Sequence, residues 1–193
     1  MKKLISFLIS LALCIPCAVF SDEIDVQSVA ETLKQRLDIP ESYTEFNSYA
    51  DISADTNYAF SWSGGNVSNG GSVNVTLDGK QRIITYNQYR YGKYSGDYKL
   101  SEIDYNGACT VADEFLKKAA PEFYEHLSLF SQSNYISRNS GSYDILYYRS
   151  ENGIPCYDNY AIVNVDAYTK NVSEYSIIWE DYDYLCLLCR SEG

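Results

Sequence analysis

The chain has 193 residues, with 26 acidic against 15 basic side chains and a formal charge of −11. That balance argues against nucleic acid, whose phosphates need Lys/Arg neutralisation, and against anionic membrane surfaces. Twenty tyrosines, seven phenylalanines and two tryptophans argue against a disordered chain, which carries few aromatics.

Met1-Lys2-Lys3 is a positive leader, Leu4 to Ile15 an apolar run too short to span a bilayer, and Val19-Phe20-Ser21 a site a signal peptidase can read. Residues 1–21 are therefore expected to be a signal peptide cleaved before Asp22, giving a secreted or cell-envelope protein with no stable membrane insertion afterwards. Cleavage takes two lysines and no acid, so the mature charge is expected to be −13. The remaining 172 residues suffice for one ordinary domain or two small subdomains sharing a core.

Between Ile24 and Leu37, Val26, Val29, Ala30, Leu33 and Leu37 recur at helical steps, with Pro40 beyond. Strand patterns follow. Tyr58, Phe60 and Trp62 alternate with small residues; Val73, Val75 and Leu77 alternate with Asn74 and Thr76. Asp78-Gly79 is a turn signal, and Arg82 to Tyr91 reads as the next strand of an antiparallel meander. On that strand Ile84 and Tyr86 are assigned to the core and Tyr89 and Tyr91 to the open face. Gly92 to Gly107 reads as loop. A second amphipathic helix carries Ala108, Ala112, Phe115, Leu116 and Ala119 and stops before Pro121; a short helical piece is expected over Phe123, Tyr124 and Leu127. Strands resume at Tyr143 to Tyr148, Tyr160 to Asp166 and Val172 to Trp179. Helix-then-strands thus occurs twice, and Val73-Asn74-Val75 through Asp78 to Ile84 and Tyr86 echoes Val163-Asn164-Val165-Asp166 to Val172 and Tyr175.

Three stretches resemble the YcdB/YcdC repeat family of exported bacterial proteins, which are related to PepSY domains: Leu37-Asp38-Ile39-Pro40-Glu41-Ser42-Tyr43, Phe115-Leu116-Lys117-Lys118-Ala119-Ala120-Pro121 and Asn152-Gly153-Ile154-Pro155. The likeness continues from Asp158-Asn159 to Thr169-Lys170-Asn171-Val172 and Tyr175, with Thr169-Lys170 standing where such hairpins carry Thr-Gly. The resemblance implies an α+β fold of two helix-plus-antiparallel-sheet, PepSY-like units in tandem, 22–100 and 101–193. PepSY-type domains occur in propeptides of thermolysin-like peptidases, so a role in restraining a peptidase or docking to an envelope protein is implied. No catalytic residue set comes with the family.

The residues themselves carry little chemistry. Cys109, Cys156, Cys186 and Cys189 survive cleavage, and an even number in an exported chain can pair. Cys186-Leu187-Leu188-Cys189 has CxxC spacing, but with Asp181 and Asp183 upstream a disulfide or plain thiols fit it better than redox or zinc chemistry. His126 is the only histidine, which leaves no pair for a metallopeptidase and no basis for a Ser-His-Asp site. No cofactor, metal or catalytic residue is expected.

The tyrosines are the distinctive feature, in one cluster from Tyr86 to Tyr98 and another from Tyr143 to Tyr160. Tyr89, Tyr91 and Trp62 are the candidate binding residues, because an exposed ring offers rigid apolar area with a polar tip. The reading is a non-catalytic binding or regulatory module whose partner is an envelope or extracellular protein or peptide. A passive cell-surface spacer and a hydrolase using a carboxylate pair are the alternatives.

Overall fold

A computed structural model describes residues 25–51, 57–65, 70–91, 101–130, 136–137 and 141–180. The expected signal segment 1–21, Tyr94, Tyr98, and the Cys186 and Cys189 pair lie outside these residues.

Helix α1 (Val26–Arg36) begins where the Asp25 carboxylate accepts from the Ser28 N–H at 3.2 Å, satisfying one of the orphan donors of a helix start. Ala30 and Leu33 are its buried stripe. Asp38, at φ 53°, turns the chain out of the helix, as the predicted stop before Pro40 requires. A meander follows: β1 (Glu45–Asp51), β2 (Asn57–Gly64), β3 (Gly71–Asp78) and β4 (Ile83–Arg90). Sequence periodicity missed β1, whose mostly exposed residues show no clean alternation.

Asp104 caps α2 (Tyr105–Ala119) by accepting from the Gly107 N–H at 2.8 Å. Its buried side chains are Ala108, Ala112, Leu116 and Ala119, and three alanines in that stripe let the helix lie close to the sheet. Helix α3 (Pro121–Tyr124) ends before Leu127, which instead opens β5 (Leu127–Leu129). The expected helical piece is therefore shorter, and β5 and β6 (Ile136–Ser137) are additions to the sequence reading. Then come β7 (Ser142–Glu151), β8 (Ile154–Asp166) and β9 (Asn171–Ile178).

Among the described residues these form one nine-stranded antiparallel sheet in the order β1-β2-β3-β4-β9-β8-β7-β5, with β6 on β7. The two helix-then-strand runs share this sheet and one hydrophobic core. A transverse row of direct partners, Phe60–Val75–Tyr86–Tyr175–Val163–Ile145, shows which face is buried, because paired residues point the same way. Phe115 of α2 lies over that row, its ring centroid 5.0 Å from Tyr86 and 5.6 Å from Tyr175. Core tyrosines aim their hydroxyls at polar partners: Tyr147 donates to Asp113 Oδ1 at 2.7 Å and Tyr143 to the Ile103 carbonyl at 3.0 Å.

Three register shifts interrupt the sheet: one lies between Tyr148 and Arg149 of β7, and the other two are single-residue β-bulges. Thr76 faces Thr85 and Leu77 faces Ile83, so Ile84 is the extra residue of β4. Asn164 faces Glu174 and Val165 faces Val172, so Ser173 is the extra residue of β9. The first bulge corrects the assignment of Ile84 to the core. Ile83 is fully buried and Ile84 only partly, because the inserted residue switches the parity of the strand.

Candidate functional site

Strands β4 and β9 have eight residues each but pair over three: Thr85↔Ser176, Tyr86↔Tyr175 and Asn87↔Glu174. Beyond Glu174 the pairing with β4 stops, and Ser173 is the bulged residue of β9. The parting strands leave a notch of about 160 Å³, walled by Gln88, Tyr89 and Arg90 on one side and Asn171, Val172 and Ser173 on the other. Ser142, Asn164, Asp166 and Thr169 complete it.

The notch is polar and internally braced. Asn164 Nδ2 donates to Ser142 Oγ at 3.2 Å and to Asp144 Oδ1 at 2.6 Å, and its Oδ1 accepts from the Ser173 hydroxyl. Asp166 Oδ1 accepts from the Tyr168 and Thr169 N–H groups at 3.0 and 2.7 Å, which commits that oxygen to the β8–β9 turn.

Tyr89 and Tyr91 stand at the β4 wall, 60% and 43% exposed, with ring centroids 5.7 Å apart edge to face. Both belong to the open side, as expected. Trp62 does not join them. It is 4% exposed, pairs with Val73, and sits on the buried face against Phe60 and Phe46, ring centroids 6.1 and 5.5 Å away. Alternation along β2 puts Trp62 on the same side as Phe60, so it is a core residue.

Of the second tyrosine cluster, Tyr143 and Tyr147 are core. Tyr148, half-buried on the open face, gathers Phe130, Tyr157 and Tyr160 at centroid distances of 5.1, 5.0 and 6.3 Å. His126 is exposed, 6.2 Å from the Trp179 ring. No group of three or more His, Cys, Asp or Glu among the described residues is placed to hold a metal ion.

Sequence reasoning missed Gln88, Arg90, Asn164, Asn171 and Ser173. Each reads as an ordinary strand or turn residue, and only the pairing of strands far apart in the chain brings them to one cleft.

The model of the YcdB, YcdC repeated domain matches residues 27–179. The chain belongs to the YcdB/YcdC repeat family. Within this family member the resembling stretches are structural: Pro121 follows the end of α2, and Asn152-Gly153, at φ 52° and 82°, makes the β7–β8 turn. Lys170, in the β8–β9 turn, adopts φ 57°, a conformation glycine enters more readily. The fold is α+β, with helices laid on one antiparallel sheet. The Bacillus megaterium YpeB C-terminal domain shares it at a TM-score of 0.57 and 14% identity, over 79% of this chain and 62% of that one. The chain thus spans less than two thirds of that neighbour's length. No curated protein matches the chain.

Proposed function

We propose that this YcdB/YcdC repeat protein is an exported, non-catalytic binding or regulatory module of the bacterial cell envelope. It docks to, or restrains, an envelope or extracellular protein through the surface around Tyr89 and Tyr91. The observation that supports this reading is the exposed edge-to-face pair beside a polar notch: two rigid rings clear of the core present apolar area at low entropic cost. The leader over residues 1–21 supports export.

A duplicated unit, 22–100 and 101–193, accounts for the seam at which the site lies. Asp78 and Asp166 each accept N–H groups of their own following turn, Gln81 and Lys170 each close that turn with positive φ, and Ile84 and Ser173 are each bulged. Tyr86 and Tyr175 then face each other across the seam.

The test is capture of proteins from envelope extract on immobilised mature chain. Tyr89→Ala with Tyr91→Ala should abolish a capture that Tyr49→Ala, on another exposed tyrosine of the same face, leaves intact. Both variants should unfold at the wild-type denaturant concentration. Equal retention by the two variants would leave a passive spacer.

A further inference from the structure

The main chain of β4 is half used at the notch. The Tyr91 N–H donates to the Gly70 carbonyl at 2.8 Å, and a Cβ added to Gly71 would lie 2.1 Å from the Tyr89 carbonyl oxygen. Tyr89 and Tyr91 therefore turn their main-chain groups toward β3. Alternation then sends the N–H and C=O of Gln88 and Arg90 the other way, into the notch, where the β9 ladder has already stopped. A row of strand-edge groups of this kind is completed by another strand.

We infer that the notch takes the free amino end of an extended polypeptide, which adds to the β4 edge; this rests on the binding role proposed for Tyr89 and Tyr91 and names its partner. The occupant is a chain end because the notch is blind. The pair Asn87↔Glu174 closes it, so an added strand has to stop there.

The end is an amino end because of charge. Glu174, at the blind end, is exposed on the open face in the cross-strand row that continues through Asn164 to Asp144, which is exposed as well. An ammonium gains charge-assisted contacts among these acids, whereas a carboxylate is repelled. At the mouth, Arg90 makes neither ion pair nor ring contact with any of the described residues, although the chain carries eleven more negative than positive charges. It meets an acidic side chain a few residues along the strand. Such a strand runs parallel to β4 and antiparallel to β9, and the small volume calls for small first residues.

The probe is a synthetic hexapeptide, Ala-Ser-Val-Asp-Val-Thr, with a free amino end, titrated into isotope-labelled mature chain and followed by NMR. Shifts are expected at Gln88 to Tyr91 and Asn171 to Ser173. The N-acetylated twin should bind about tenfold more weakly, the size of one lost charge-assisted contact. Gln88→Pro removes an N–H that faces the notch and leaves the β3 ladder whole, so binding should vanish at an unchanged thermal midpoint. Should that variant not fold, Glu174→Gln should erase the advantage of the free amine. Equal binding of the acetylated twin, or shifts confined to the Tyr148 cluster, would overturn the inference. Loss of hexapeptide binding with Tyr89-dependent capture intact would sink it alone and leave the binding role standing.

Discussion

At one end of the β4–β9 seam the Tyr175 hydroxyl donates to the Ile83 carbonyl at 3.3 Å, and Ile83 and Ile177 are buried around it. At the other end Tyr86 stands in the matching place, yet makes no corresponding bond among the described residues. The positions that match Ile83 and Ile177, two or three residues from the paired tyrosines, are Val172 and Gln88. A half-buried glutamine cannot fill a core position as isoleucine does, because its amide needs hydrogen-bond partners. The bulged residues differ in the same sense: Ile84 packs against the core, while the Ser173 hydroxyl turns to Asn164. Equivalent backbones thus give a sealed end and an open notch, and the side chains decide which.

The largest expected effect tests the sealed end. Tyr175→Ala removes a fully buried ring, its contact with Phe115 and the bond to Ile83, and should cost about 3–5 kcal/mol, as large-to-small core changes do. Tyr86→Ala, whose ring also touches Phe115, should cost about 2–4 kcal/mol. Denaturant unfolding measures both. If Tyr86→Ala proves the costlier, the two ends do not differ as described.

Much of this was legible in the sequence. The alternation of Val73, Val75 and Leu77, the stripe of α2 and the prolines after each helix gave elements and faces, because burial imposes a period on residues that need no partner. The exposure of Tyr89 and Tyr91 followed from the same alternation. Trp62 did not, since a strand that alternates Phe60 with Trp62 buries both, whereas the expectation grouped Trp62 with Tyr89 and Tyr91. Ile84 failed for a different reason: an inserted residue shifts parity without a mark in the local pattern. The notch stayed hidden because it depends on the pairing of strands far apart in the chain.

A smaller effect per residue, though a cumulative one, is alkaline. Burial pushes the Tyr86 phenol up to about 12 and also raises Tyr147 and Tyr175, with the hydrogen bond to Asp113 adding to the rise at Tyr147. Unfolded tyrosine ionises near pH 10. Above that, the unfolded chain has lost protons the folded chain still holds, so stability is intact below about pH 10 and falls as pH rises. The slope is about 1.4 kcal/mol per pH unit for each such tyrosine. Tyr86 stops contributing near pH 12, the upper limit of its window. Denaturation midpoints from pH 8 upward should bend at about pH 10, and a flat profile would contradict burial of all three phenols.

The smallest expected effect compares the two turns. Gln81 closes the β3–β4 turn at φ 61° and Lys170 the β8–β9 turn at φ 57°, a region L side chains enter at a cost and glycine enters freely. Gln81→Gly should therefore stabilise the chain, by about 0.5 kcal/mol after the greater chain entropy of glycine is set against the relieved strain. Lys170→Gly relieves the same strain but gives up the ion pair of Lys170 Nζ with Glu102 at 3.2 Å. Both partners are half exposed, so that pair contributes a few tenths of a kcal/mol, and the gain should be smaller than at Gln81. Raising the salt concentration screens the pair and should bring the two gains together. A Lys170→Gly gain that exceeds Gln81→Gly at low salt would mean the notch-end turn carries strain beyond its φ angle, and the equivalence of the two turns would fail.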